Sequence, residues 1–249
     1  MEDRYRGKMA MMDRITAILF DKDGTLFDFQ ASWGGWAARL LEGLAAGDHG
    51  RHAALAAAVG FDTATRRFRR DSIAIASTAE EIARRMVPHL PGHRVDDLVA
   101  SMNAQAAAAR MVPAVPLGPL MDGLAARGLA LGVATNEAEA PARAHLAAAG
   151  IADRVDFVAG CDSGHGAKPA PGQLLAFAAA VGRRPGEVLM VGDSRHDLLA
   201  GRRAGMATAA VLTGIAAAED LADLADAVLP DIGHLPDFLD RLAGLPPRA

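Results

Sequence analysis

The sequence predicts an α/β fold: a doubly wound parallel sheet with a mostly helical cap inserted after its first strand. Six short apolar runs alternate with turn residues and helical patterns, which is typical of a parallel sheet covered by helices on both faces. A long segment without a strong strand pattern follows the first run. The predicted strands cover residues 15–20, 129–134, 155–159, 188–191, 207–212 and, most weakly, 227–229.

Helical patterns lie between the later strands, and glycines mark where three of them end. Gly128, Gly150 and Gly205 each follow a helical pattern, as glycines just beyond a helix C-terminus do. The predicted helices cover residues 117–127, 137–149, 171–181 and 195–204.

The predicted domain organisation has three parts. Residues 14–29 and 113–249 form the catalytic core, and residues 30–112 form the helical cap between them. Residues 1–13 are polar, and we expect them to form a loose N-terminal tail.

Within the cap, apolar spacing and a capping signal predict helices. Trp33, Trp36 and Leu40 fall at helical spacing, and we expect the two tryptophans to pack within the cap rather than to form a stacking platform. Residues 78–81 read Thr-Ala-Glu-Glu, a capping box that begins a helix. Residues 95–111 form a further predicted helix.

The composition limits the classes of protein. With 249 residues, of which 51% are hydrophobic and 22% charged, the chain is globular and can bury a full core. The net charge of −4 gives no basis for nucleic-acid binding, and no run of 18 uncharged apolar residues predicts a membrane span. The single cysteine, Cys161, excludes an internal disulfide. We expect a cytoplasmic monomer or homodimer with no nucleic-acid or membrane partner.

Four of the predicted strands lead into polar motifs. Ligands bind at the carboxyl ends of the strands in an open parallel sheet, so we expect these motifs to converge on one crevice. In chain order the motifs are Asp21-Lys22-Asp23-Gly24-Thr25, Thr135-Asn136, Lys168-Pro169 and Gly192-Asp193-Ser194-Arg195-His196-Asp197.

The carboxylates of these motifs suit a divalent cation and a phosphoryl group. Asp21, Asp23, Asp193 and Asp197 offer hard oxygen atoms of the kind that Mg²⁺ prefers. One carboxylate of the first motif could attack phosphorus, and the other could protonate the leaving oxygen and then activate water.

The remaining motif residues are candidates for phosphate binding. Lys168 adds a fixed positive charge and Thr135 a hydroxyl donor. The turn that contains Gly24 and Thr25 could present backbone N–H groups to an anion. Asn136 is a further phosphate-binding candidate, and it is also expected to cap the next helix.

Together, these motifs resemble the four motifs of the haloacid dehalogenase-like hydrolases, over residues 14 to about 240. The Asp-Gly-Thr-Leu-Phe-Asp and Gly-Asp-Ser stretches are most similar to the phosphoglycolate phosphatase branch. The resemblance implies that Asp21 is the nucleophile, that Asp23 is the general acid and base, and that Thr135 and Lys168 bind the phosphoryl group. It also implies that Mg²⁺ is held by Asp21, the backbone carbonyl of Asp23, Asp193 and Asp197.

The expected function is therefore that of a Mg²⁺-dependent phosphatase. It would hydrolyse a small phosphorylated metabolite, with 2-phosphoglycolate as the first candidate, through an aspartyl-phosphate. A phosphosugar mutase of the same family, a receiver-like phospho-acceptor and a non-catalytic phosphate-binding scaffold stay open as alternatives.

A basic run in the cap, Arg66-Arg67-Phe68-Arg69-Arg70, raises the question of substrate recognition. Most of these arginines are expected to be solvated. One of them, with Arg70 as the candidate, is expected to reach the crevice and pair with a substrate carboxylate.

Overall fold

The computed structural model describes residues 15–243. The predicted N-terminal tail, residues 1–13, lies outside the described residues. In chain order the strands are β1 (Ala17–Phe20), β2 (Phe61–Asp62), β3 (Arg67–Phe68), β4 (Ala130–Ala134), β5 (Phe157–Ala159), β6 (Val188–Gly192), β7 (Ala207–Val211) and β8 (Ala227–Leu229).

Ten α-helices lie in the described part of the chain. They are α1 (Phe29–Ala45), α2 (His49–Val59), α3 (Ala79–Met86), α4 (Val95–Ala107), α5 (Leu117–Ala125), α6 (Glu139–Ala148), α7 (Gly172–Ala180), α8 (Arg195–Ala204), α9 (Ala218–Leu221) and α10 (Leu235–Leu242). None of them combines the length and the hydropathy that a membrane crossing requires.

Six strands form one parallel sheet in the order β5-β4-β1-β6-β7-β8. All six predicted strands are present, and each ends within two residues of its predicted bounds. Because β1 lies between β4 and β6, the residue that follows β1 emerges at the middle of the sheet edge. The predicted fold class is confirmed.

Helices cover both faces of the sheet, and the side chains of β1 show why. Ile18 and Phe20 belong to one hydrophobic cluster, which also contains residues of α5, α6 and α10. Ala17 and Leu19 point the other way into a second cluster, with residues of α7 and α8. Alternate side chains of a strand face opposite sides, so a strand buried on both faces must be apolar throughout.

The segment between β1 and α5 is mostly helical and has its own hydrophobic cluster. Trp33 and Leu41 of α1, Leu55 of α2, Met86 of α3 and Leu98 of α4 are all buried in it. The expected capping box is confirmed, because the Thr78 and Glu81 side chains each bond the other's backbone N–H at the start of α3.

Two features of this segment differ from the prediction. The helix α2 and the antiparallel pair β2–β3 (Phe61 opposite Phe68) carry no strong sequence signal. The helix predicted over residues 95–111 ends at Ala107. Residues before a proline avoid the helical conformation, and Pro113 pairs with Phe27, so the chain must be extended there.

Candidate active site

Three acidic side chains meet at the carboxyl end of the sheet. Asp21 follows β1, Asp193 follows β6, and Asp197 lies in the first turn of α8. Each offers one carboxylate oxygen, and these three oxygens lie within 4.8 Å of one another. All three residues are buried, so water does little to screen their mutual repulsion.

A buried lysine lies against two of these carboxylates. Lys168 Nζ is 2.5 Å from Asp21 Oδ1 and 2.6 Å from Asp197 Oδ1, and it also donates to the Ala134 carbonyl at 2.7 Å. One ammonium group therefore faces three carboxylates, which leaves the cluster short of positive charge.

Burial and charge shift the pKa values of this cluster. Burial, assisted by the nearby Asp197 and Asp23 carboxylates, raises the pKa of Asp21 to about 7 even though Lys168 opposes the shift. Burial also raises the pKa of Asp193 well above its usual value, and Asp21 and Asp197 add to the effect. Burial alone would lower the pKa of Lys168, but Asp197 and Asp21 outweigh it and raise the pKa.

The cluster fits a divalent cation. Asp193 Oδ2 is buried and has no hydrogen-bond partner among the described residues, so one ligand atom is free. Carboxylate oxygens of this kind are the ligands that hard divalent cations prefer, and a cation would supply the missing positive charge.

Gly24 leaves room for the Asp193 carboxylate. Its backbone φ of +89° is rarely adopted by residues other than glycine, and a Cβ at this position would overlap the Asp193 carboxylate. Its N–H donates to the Phe27 carbonyl at 2.7 Å, so the turn itself uses this donor. The Thr25 hydroxyl is buried and lies 3.5 Å from Asp193 Oδ1. The structure thus brings both residues to Asp193 rather than to the pocket surface.

Asp23, the second carboxylate of the first motif, has different partners. Its Oδ1 accepts from Lys22 Nζ at 2.6 Å and from Trp33 Nε1 at 2.8 Å. The Lys22 side chain is fully buried, and its Nζ also lies 3.1 Å from Glu137 Oε2 and 3.2 Å from His145 Nδ1. Asp23 keeps a partly exposed face, and it lines the same pocket as Asp21.

Sequence reasoning did not identify Lys22, Glu137 and His145 as parts of the site. The available signal was Lys22 itself, a charged side chain directly after a buried strand. A buried lysine needs carboxylate partners. Burial would lower the pKa of Lys22, but the carboxylates of Asp23 and Glu137 raise it.

Thr135 and Asn136 both line the pocket, but they do different things there. The Thr135 side chain is buried, and its hydroxyl accepts from the Glu137 N–H at 3.1 Å. Asn136 does not cap α6, because the N-cap residue is Ala138. Its amide instead bonds the backbone N–H and C=O of Lys168, at 2.8 and 2.9 Å. Asn136 therefore holds the segment that carries the lysine.

Arg70 does not reach the pocket, which corrects the expectation from the basic run. Its guanidinium lies 2.6 Å from Asp220 Oδ2, and its side chain is 63% exposed. The other arginines of the run are also exposed. The buried member is Phe68, whose ring lines the pocket. Trp33 and Trp36 line the pocket as well, so they do more than pack within the inserted segment.

The fold and the clustered carboxylates place the chain among known hydrolases. The family model of the haloacid dehalogenase-like hydrolases matches residues 15–205, and the chain belongs to this family. Phosphoglycolate phosphatase from Rhodospirillum rubrum is 39% identical over 135 residues, which are 51% of this chain and 56% of that protein. Phosphoglycolate phosphatase from Neisseria meningitidis is 36% identical over 119 residues, which cover 46% of this chain and 49% of that protein. The matched segment thus spans about half the length of these curated relatives.

Solved structures share the fold over nearly the whole chain. A predicted phosphoglycolate phosphatase from Haemophilus somnus superimposes with a TM-score of 0.69 at 19% identity, covering 90% of this chain and 98% of that one. CbbY from Rhodobacter sphaeroides, solved in complex with phosphate, gives a TM-score of 0.67 at 20% identity, covering 89% and 96%.

Proposed function

We propose that this protein is a Mg²⁺-dependent phosphatase that hydrolyses a small phosphate monoester through an aspartyl-phosphate. The observation that carries the proposal is the contact of the buried Lys168 ammonium with Asp21, inside a cluster of three carboxylates. Membership of a hydrolase family and the similarity to phosphoglycolate phosphatases support the reaction class.

In this proposal, Asp21, Asp193 and Asp197 hold the metal, together with the backbone carbonyl of Asp23 that the family resemblance implies. When bound, Mg²⁺ supplies positive charge that stabilises the phosphoryl oxygens during transfer.

The first step belongs to Asp21 and Asp23. A carboxylate oxygen of Asp21 attacks phosphorus, and the bond from phosphorus to the ester oxygen breaks. Asp23 gives its proton to that oxygen, so the alcohol leaves neutral. Lys168 and the Thr135 hydroxyl bind the transferred phosphoryl group, and Lys168 stabilises its charge.

The second step releases phosphate. Asp23, now ionised, takes a proton from a water molecule, which attacks phosphorus and frees the Asp21 carboxylate. The hydrogen bonds from Lys22 and Trp33 hold the Asp23 carboxylate in one orientation for both steps.

We also propose that residues 30–112 act as a cap that closes over the substrate. Pocket residues come from both sides, with Asp21 and Lys168 from loops that follow strands of the sheet and Trp33, Phe68 and Met102 from the inserted segment. Closure would exclude bulk water during phosphoryl transfer.

The test is phosphate release from a panel of phosphate monoesters, with Mg²⁺ and with a chelator. We expect Asp21→Asn, which removes the nucleophile at constant size, to lose on the order of 10³-fold in kcat. Asp237→Asn, on the exposed face of α10, is the matched control and should retain full activity. An Asp21→Asn rate within twofold of the unaltered protein, or full activity under chelation, would refute the proposal.

A further inference from the structure

We infer that the pocket selects phosphate monoesters whose alcohol carries an apolar, planar group, and that it disfavours esters with a second anionic group. This inference rests on the proposed function, because it concerns the alcohol part of the same substrate. The inferred substrate class differs from 2-phosphoglycolate, which carries a carboxylate on the carbon atom that is bonded to the ester oxygen.

The pocket lining that the inserted segment contributes is mostly apolar and aromatic, and its polar side chains, Ser77 and Asn103, carry no charge. We call its apolar part the aromatic wall; it includes Phe29, Trp33 and Trp36 of α1, Phe68 of β3, Ile82 of α3 and Met102 of α4. Two edge-to-face ring pairs stiffen this wall, Trp33 with Trp36 at a centroid distance of 5.1 Å and Phe29 with Phe68 at 5.4 Å. A planar apolar group can pack against such rings, and the removal of its surface from water is favourable because it gives up no hydrogen bonds.

The position of Asp23 directs the alcohol toward this wall. The ester oxygen must lie within hydrogen-bond reach of Asp23 to receive its proton. Asp23 Oδ1 accepts the Trp33 indole N–H at 2.8 Å, so the tryptophan lies directly beside the acid. The first carbon atoms of the alcohol therefore lie beside Trp33 and, behind it, Trp36.

The charges of the pocket oppose a second anion. Among the described residues, Lys168 is the one lysine or arginine that lines the pocket, and Asp21 and Asp197 already pair with it. Glu137 adds a further carboxylate to the lining. Among the described residues, the one histidine in the lining is His196, an exposed residue of α8. A substrate carboxylate on the alcohol would lose water here and would find no unpaired lysine or arginine side chain among the described lining residues.

The chain holds Phe68, and not an arginine, at this wall. The Gln30 amide donates to the Phe68 carbonyl at 2.8 Å and accepts from the Phe68 N–H at 3.0 Å. These two bonds fix the backbone at the centre of the basic run, so that the ring is buried while the flanking arginines stay in solvent.

A matched pair of substrates tests the inference. Benzyl phosphate and 2-phosphoglycolate both have a methylene group on the ester oxygen and differ in the phenyl or carboxylate group bonded to it. We expect kcat/KM for benzyl phosphate to exceed that for 2-phosphoglycolate at least tenfold. Equal values, or a preference for 2-phosphoglycolate, would overturn the inference while leaving the phosphatase proposal intact.

A binding experiment separates the two proposals if neither ester is hydrolysed. 2-Phenylethylphosphonate and 3-phosphonopropionate replace the ester oxygen of the two substrates with a methylene group and cannot be hydrolysed. Trp33 and Trp36 are the only tryptophans of the chain and both line the pocket, so their fluorescence reports its occupancy. We expect the phenyl compound to bind at least tenfold more tightly, with Mg²⁺ present; equal affinities or tighter binding of the carboxylate compound would overturn the inference.

Three variants connect the preference to the aromatic wall. Trp36→Phe keeps a smaller aromatic ring at this position, and Trp36→Ala removes the ring. We expect the ratio of kcat/KM for benzyl phosphate to that for 2-phosphoglycolate to fall about threefold in Trp36→Phe and at least tenfold in Trp36→Ala. Ile82→Arg, at a half-buried pocket position, should lower the ratio by raising activity on 2-phosphoglycolate. Ratios unchanged in all three variants would show that the wall does not select the substrate. Arg70→Ala is the matched control and should leave the ratio unchanged, because Arg70 lies outside the pocket.

Discussion

Lys22→Met is the most informative single substitution for the stability of the site. The lysine side chain is fully buried, and its ammonium contacts the carboxylates of Asp23 and Glu137 at 2.6 and 3.1 Å. The same ammonium lies 5.4 Å from the ring centre of Trp33 and 5.6 Å from that of Phe27. Methionine has nearly the same length and fills the same space, so the substitution removes mainly the charge.

The expected cost follows from what remains behind. Without Lys22, the carboxylates of Asp23 and Glu137 would both lie in a poorly hydrated region with no cation between them. Glu137 accepts no well-aligned hydrogen bond in the described part of the chain, so the ion pair with Lys22 is its main stabilising contact. Removing one partner of a buried ion pair costs about 3–5 kcal/mol. For a chain of this length, that cost corresponds to a decrease in Tm on the order of 10 °C.

Chemical denaturation of four proteins measures this cost and its origin. They are the unaltered chain, Lys22→Met, Glu137→Gln and the double variant. If the lysine mainly neutralises Glu137 and Asp23, the double variant should be more stable than the sum of the single changes predicts, by at least about 1 kcal/mol. Arg84→Met breaks an exposed pair with Glu80 and should leave the unfolding midpoint unchanged.

Two results would refute this reasoning. One is a Lys22→Met protein as stable as the unaltered chain. The other is strict additivity of Lys22→Met and Glu137→Gln, which would show that the two groups do not interact.

The same substitution also tests catalysis. Since Lys22 orients Asp23, kcat of Lys22→Met should fall at least tenfold while KM changes little.

Three further changes test the carboxylate cluster and Cys161. Gly24→Ala should weaken Mg²⁺ activation at least tenfold in a metal titration, because its Cβ would displace Asp193; an unchanged titration would contradict the packing argument. Folding raises the pKa of Asp21 from 3.8 to about 7, so metal-free protein should lose stability as the pH rises from 4 to 7, by up to roughly 4 kcal/mol from this group. Asp21→Asn should show a smaller loss, because the raised pKa of Asp193 contributes a loss of its own, and Mg²⁺ should suppress both; parallel unfolding curves for the two proteins would contradict the assignment. Burial raises the pKa of Cys161 to about 11, so a thiol reagent should react slowly at pH 7.5, and fast modification would contradict the burial.

The sheet and its carboxylate cluster could be predicted because they depend on local patterns. A strand buried on both faces needs an uninterrupted apolar run, and six such runs are visible. In a parallel sheet, the residues that follow the strands share one edge, so Asp21 and Asp193 had to approach each other. No knowledge of side-chain packing was needed for either step.

The inserted segment was harder to predict because its structure depends on tertiary contacts. The α2 helix is rich in alanine, which permits a helix but gives little apolar periodicity. The strands β2 and β3 have two residues each, too few for an alternating pattern. Whether Phe68 or Arg70 points at the pocket depends on the two hydrogen bonds between the Gln30 side chain and the Phe68 backbone, which join residues far apart in the sequence.

The central position of β1 has a consequence for the order in which the chain can fold. Ala17 is synthesised before both of its sheet neighbours, Ala130 and Val188. Until the segment through Gly192 has left the ribosome, the apolar strand β1 has at least one open edge, which is a template for intermolecular pairing. Nascent chains that stop between Ala134 and Val188 should therefore aggregate or require a chaperone, and the sheet around Asp21 can form only after β6 has been synthesised.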